Sequence, residues 1–122
     1  MANDFKRFAV PSVNTSAGAS ATSVYAVPAG AGSTALESII IGILLSNKTV
    51  SDTTVSVFLD HLDGTNDINI LKNTPLPATS SLEIMSGNKI VVQNNGSAGD
   101  VIRVSAGDAT AVDVIITVLE NV

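Results

Sequence analysis

The chain has 122 residues, 45% of them hydrophobic, enough for one domain that hides roughly 65–70% of the surface its unfolded form would expose. It contains no cysteine, which excludes disulfides, thiolate metal clusters and cysteine nucleophiles together. Six basic residues against eleven acidic ones give a net charge of −5, which opposes counterion release, so nucleic acid and anionic membranes are not expected partners.

Valine, isoleucine and threonine dominate the patterned stretches, and leucine, alanine, glutamate and lysine at helical spacing are missing, which predicts strands and no helix. In chain order the expected strands are Phe5 to Val10, Thr22 to Val27, Leu36 to Asn47, Thr53 to Leu62, Asp67 to Lys72, Ser81 to Met85, Lys89 to Gln93, Val101 to Ser105 and Val112 to Glu120. Turn signals separate them: Pro28-Ala29-Gly30, Asp63-Gly64, Gly87-Asn88, Asn95-Gly96 and Gly107-Asp108. Short strands punctuated this regularly predict an all-β fold, a single antiparallel β-sandwich of immunoglobulin-like or jelly-roll-like type.

The opening MANDFKRF carries charge and no following apolar stretch, so it does not read as a secretory signal, and the chain is expected to stay where it is made. Phe5, Phe8 and Val10 precede the small-residue stretch NTSAGASA at residues 14–21. Residues 1–20 therefore read as an apolar, weakly basic arm and linker ahead of a sandwich at residues 21–122. The same residues also suit the sandwich's own first strand. On the arm reading, Phe5 and Phe8 clip onto a neighbour, and Lys6 and Arg7 steer towards an acidic patch.

Leu36 to Leu45 is apolar at nearly successive positions, which a strand tolerates when both of its faces are covered. Its longest apolar run, Ile39 to Leu45, is interrupted by Gly42 and falls far short of the ~20 residues that a bilayer requires, so a membrane span is not expected. Either a loop of the same chain or another subunit covers the second face, and Ile39 and Ile41 are the candidate contacts for a subunit. In Val112, Val114, Ile116 and Val118 the alternate positions are uniformly apolar, while Asp113, Ile115, Thr117 and Leu119 are mixed, as for one buried and one partly covered face.

Signals for chemistry are weak. Asp60-His61-Leu62-Asp63-Gly64-Thr65-Asn66-Asp67 gathers three carboxylates and the only histidine, but the twelfth position counted from Asp60 is Leu71 in an expected strand, and no flanking helices are expected. Solvated hairpin carboxylates are the simpler reading, and no metal is expected. Gly30-Ala31-Gly32-Ser33-Thr34 lacks the helix and lysine of a phosphate loop. With one histidine, no G-x-S-x-G context, no tryptophan and one tyrosine, neither a serine hydrolase nor a glycosidase with aromatic platforms is expected. The chain reads as a non-enzyme without cofactors.

Taken together, MANDFKRF, SVYAVPAG, a long apolar strand ending in LLSN, VSVFLD, KNTPLPATSSLEIM, GNKIVVQ, GDVIRVSAG and VDVIITVLE give an order that resembles small β-sandwich virion structural proteins of tailed bacteriophages, especially marine cyanophages. The likeness runs from the first residues to the last strand. It implies a capsid decoration (cement) protein made in the host cytoplasm and incorporated into the virion, with no catalytic residues. The implied partners are copies of itself, as a homo-oligomer such as a trimer, and the major capsid or other virion proteins. A neck, tail or fibre component, including a receptor- or carbohydrate-binding module, is the alternative that the same resemblance allows.

Overall fold

The computed structural model describes residues 3–64, 67–85 and 87–121. Among these the valine-, isoleucine- and threonine-rich stretches form nine strands: β1 (Asn3–Val10), β2 (Thr22–Ala26), β3 (Leu36–Asn47), β4 (Thr53–Asp60), β5 (Asp67–Leu76), β6 (Ser81–Glu83), β7 (Ile90–Asn94), β8 (Val101–Ala106) and β9 (Val112–Asn121). The only helical element described is one 3-10 turn at Gly18–Ser20. No described helix is long and apolar enough to cross a membrane.

The strands make two antiparallel sheets. One has the order β1-β9-β3, with β6 and β7 both on the far edge of β3; the other has the order β2-β8-β4-β5. Strand β7 pairs with Leu36–Ile40 of β3, and β6 with Leu44–Ser46, so these two short strands share one position in the sheet. The first strand thus pairs with the last, the second with the last but one, the third with β6 and β7, and the fourth with the fifth. That nesting is a long hairpin rolled into a sandwich, the jelly-roll order. Asn3 lies directly opposite Asn121 at the outer end of the pairing.

Alternation drives the packing. Val112, Val114, Ile116 and Val118 of β9 and Val55 and Val57 of β4 are buried and meet across the sheets, each removing apolar surface worth about 25 cal/mol per Å². In β3 the phase changes along the strand: Leu36, Ser38 and Ile40 face inward, and after a register shift between Ile40 and Gly42 the inward residues are Ile43, Leu45 and Asn47. One extra residue in a bulge moves the inward set from even to odd positions. Part of the apolar run therefore reflects this phase change, with Ile40, Ile43 and Leu45 all in the core. The remainder, Ile39 and Leu44, stays on the outward face, where no described loop covers it: Leu44 is 36% exposed.

Two expectations change. Residues 3–10 do not project as an arm, because β1 pairs with β9 along its whole length from Asn3 to Val10 and so belongs to the sandwich. An eight-residue strand beside an open sheet edge satisfies its backbone there and buries Phe8 and Val10 partway, which a free arm would forgo. Strand β5 runs past Lys72 to Leu76. It tolerates Pro75 because it is an edge strand, where a missing N–H is not required, and it passes through Asn73 at φ 45° opposite register shifts in β4.

Candidate assembly surface

The outward face of the five-stranded sheet follows from the register. Phe5 on β1 pairs with Leu119 on β9, Leu119 with Ile39 on β3, and Ile39 with Val91 on β7. Four apolar side chains therefore lie in one row across the whole sheet. A second row, two residues further along each strand pair beyond Arg7, holds Ala9, Ile115 and Leu44 and ends on Glu83 of β6. Phe5 is 76% exposed, Val91 57% and Ile115 40%. Cross-strand apolar neighbours support one another, but a row this exposed also leaves contiguous apolar surface in water, which soluble monomers generally avoid.

Between the two rows the face is polar. Arg7 pairs with Thr117, which pairs with Gly42, and the Glu83 carboxylate lies over Gly42 from the β6 side; a Cβ added there would sit 3.5 Å from Glu83 Oε2. Glu83 is fixed in place, since its Oε1 accepts the Met85 N–H at 2.7 Å. A cation on one edge and a carboxylate towards the other give the face opposite charges across its width.

The six residues singled out from the sequence divide between two environments. Phe5, Arg7 and Ile39 lie on the outward face, and Ile41 sits half-buried at the β3 bulge. Lys6 and Phe8 turn the other way. Lys6 Nζ lies 3.1 Å from Glu120 Oε1, and the Phe8 ring packs against Tyr25 with centroids 4.9 Å apart. Because β1 is a strand, neighbouring side chains must alternate between faces, so Phe5 and Phe8 cannot act as one clip.

Glu120 is 3% exposed, and a buried carboxylate persists only when it is paired. Here Tyr25 Oη lies 2.7 Å from Glu120 Oε2 and 2.8 Å from Ser38 Oγ. The carboxylate can only accept, so the phenol donates to it and the serine hydroxyl donates to the phenol oxygen. Burial, and then the carboxylate itself, hold the Tyr25 hydroxyl well above the ordinary phenol range, with Ser38 acting in the opposite direction. This network joins β1, β2, β3 and β9 beneath the apolar row. Glu120 is not among the residues singled out from the sequence; its one signal there is parity, two positions beyond Val118 on the inward side of β9. Likewise Leu44, Val91, Ile115 and Leu119 complete the face and become recognisable only once the pairing is known.

The other chemical signals resolve into structure. Thr65 and Asn66 of the Asp60–Asp67 loop lie outside the described residues. Asp60 Oδ2 accepts from Arg103 Nε at 2.9 Å, and His61 Nδ1 accepts the Asp63 N–H at 3.2 Å. No three His, Asp or Glu side chains gather as a metal-ligand group among the described residues. Gly30 and Thr34 close a tight bridge on each other, with no helix behind the glycines. No protein-family model matches the chain, and no curated protein or solved structure is significantly similar to it.

Proposed function

We propose that the chain is a non-enzymatic structural subunit of a tailed-bacteriophage virion, a capsid decoration protein that packs against copies of itself and against the major capsid protein. The observation that carries the assembly part of this reading is the outward row of Phe5, Leu119, Ile39 and Val91. The virion context rests on the resemblance of the sequence.

The occupant of the face is a second copy of the chain, on grounds of charge and area. A two-fold axis lying in the face and parallel to the strands stacks the Phe5 row on its own copy and brings the Arg7 edge of one copy against the Glu83 edge of the other. With β6 and β7 sharing one position, the face is some 20 Å wide and about 30 Å long, so a pair buries roughly 1,100–1,200 Å² in total. That is the lower edge of a stable interface. Such a contact suits a lattice, where an anchored copy meets its neighbour at high effective concentration.

Light scattering on the purified chain tests the reading. The wild type should exceed the 12.4 kDa of a single chain, and Phe5→Ser with Leu119→Ser should return it to that mass with an unchanged circular-dichroism spectrum. Val91→Ser, on an edge strand and 57% exposed, serves as the milder variant should the pair disturb folding. A wild type that stays at one chain's mass at high concentration overturns self-assembly. A particle reconstruction with copies spread over the shell supports decoration; a ring at a vertex or along the tail supports the neck, tail or fibre role instead.

A further inference from the structure

The opposite side of the sandwich carries a feature that assembly does not use. On the outward face of the sheet formed by β2, β8, β4 and β5 lies a groove of about 360 Å³, within the range of small-ligand sites. Phe58, on the outward side of β4 and only 6% exposed, forms part of its floor, beside Thr54 and Ser56 of the same strand. Ser105 of β8 and Asn69 and Asn73 of β5 flank it. Asp67 and Lys72 bring one charge of each sign.

The far wall is the segment Thr15 to Gly18, which the sequence presents as a flexible linker. It is held instead. The Ala106 N–H donates to the Asn14 carbonyl, Asn14 Nδ2 donates to the Ser20 carbonyl, and the Asn14 N–H donates to Thr22 Oγ1. Gly18 turns the chain at φ 60° into the 3-10 turn that follows. The groove is therefore preorganised on both sides.

Several of its polar groups are uncommitted, whereas Asn14, Asn47 and Asn94 spend their side-chain amides on carbonyls of the chain. In the groove the Asn73 side chain uses only its Oδ1, accepting from Ser56 Oγ at 3.2 Å, and Thr54, Asn69 and Ser105 form no side-chain hydrogen bond with other described residues. Hydroxyls and amides both donate and accept, and balanced charges select no ion. We infer that this groove binds a neutral oligosaccharide.

An array of printed neutral and acidic glycans, followed by amide NMR titration of the intact chain with the best neutral hit and with maltohexaose, tests the inference. Retention of neutral glycans is expected, with saturable shifts at Ser56, Asn69, Asn73, Ser105 and Thr15 to Gly18 and none along the Phe5, Leu119, Ile39 and Val91 row. Asn69→Ala with Ser105→Ala should weaken binding roughly tenfold while leaving the melting temperature unchanged. Retention of acidic glycans alone, no retention at all, or shifts that persist in the double variant would overturn it. The groove and the apolar row lie on opposite sheets, so failure of one leaves the other standing.

Discussion

Tyr25 concentrates much of what single residues do in this protein. It is the only tyrosine, and there is no tryptophan, so phenolate absorbance reports on this one hydroxyl. An ordinary phenol ionises near pH 10, whereas Tyr25 is held above that, first by burial and then by Glu120. Above about pH 10 the unfolded chain gives up a proton that the folded chain keeps, so stability present below that pH is lost as pH rises. Phenolate absorbance should therefore stay silent in the folded protein and appear only in step with loss of the circular-dichroism signal. Tyr25→Phe should abolish that alkaline dependence and cost about 1–3 kcal/mol at neutral pH by urea unfolding, since Glu120 then keeps Lys6 but loses its buried donor. A phenol that titrates smoothly near pH 10 in the intact fold contradicts the buried network. At this scale the sequence was only partly legible: parity along β9 predicts which side chains turn inward, but the Tyr25, Ser38 and Glu120 meeting joins positions far apart in the chain, and no local pattern encodes it.

At the scale of elements, β1 shows how a weak local signal is decided by tertiary pairing. Phe5 to Val10 suits an arm or a strand equally well from composition. The open edge of β9 decides the matter, since β1 satisfies that edge over eight residues and lays Phe8 on Tyr25. Removing residues 1–10 should accordingly do more than detach an anchor. It uncovers the β9 edge, strips Lys6 from Glu120 and takes Phe8 off the core, and a drop in melting temperature of roughly 8–16 °C is expected from losses of about 2–4 kcal/mol in a domain of this size. A truncated chain that melts where the intact one does would show that β1 is dispensable to the fold. Eight of the nine strands begin and end close to their sequence signals because Gly, Pro and Asn turns bound them. The exception, β5, hides its last four residues behind Asn73 and Pro75, which read as a breaker until its edge position is known. The β3 bulge was equally hidden. Two short stretches of opposite phase look, in sequence, like one strand that is apolar on both sides.

For the whole molecule, the fold class was readable from the spacing of strands and turns, but the strand order was not, because the pairings of β1 with β9 and β2 with β8 close contacts across most of the chain. The proposed surface follows from that order, since Phe5 and Val91 reach one row only when β1, β9, β3 and β7 lie side by side. Self-association through it makes stability depend on concentration, because a partner that binds only the folded form shifts unfolding by mass action. The melting temperature should therefore rise with protein concentration in the wild type and stay constant in the chain carrying Phe5→Ser and Leu119→Ser. A wild-type melting temperature independent of concentration would contradict it. The opposition of Asn3 and Asn121 carries a further consequence for engineering. Any guest sequence fused ahead of residue 3 or beyond residue 121 leaves the sandwich at the same corner, so two different cargoes could be held side by side, and a short bridge between those positions would permit a circularly permuted chain opened at another loop.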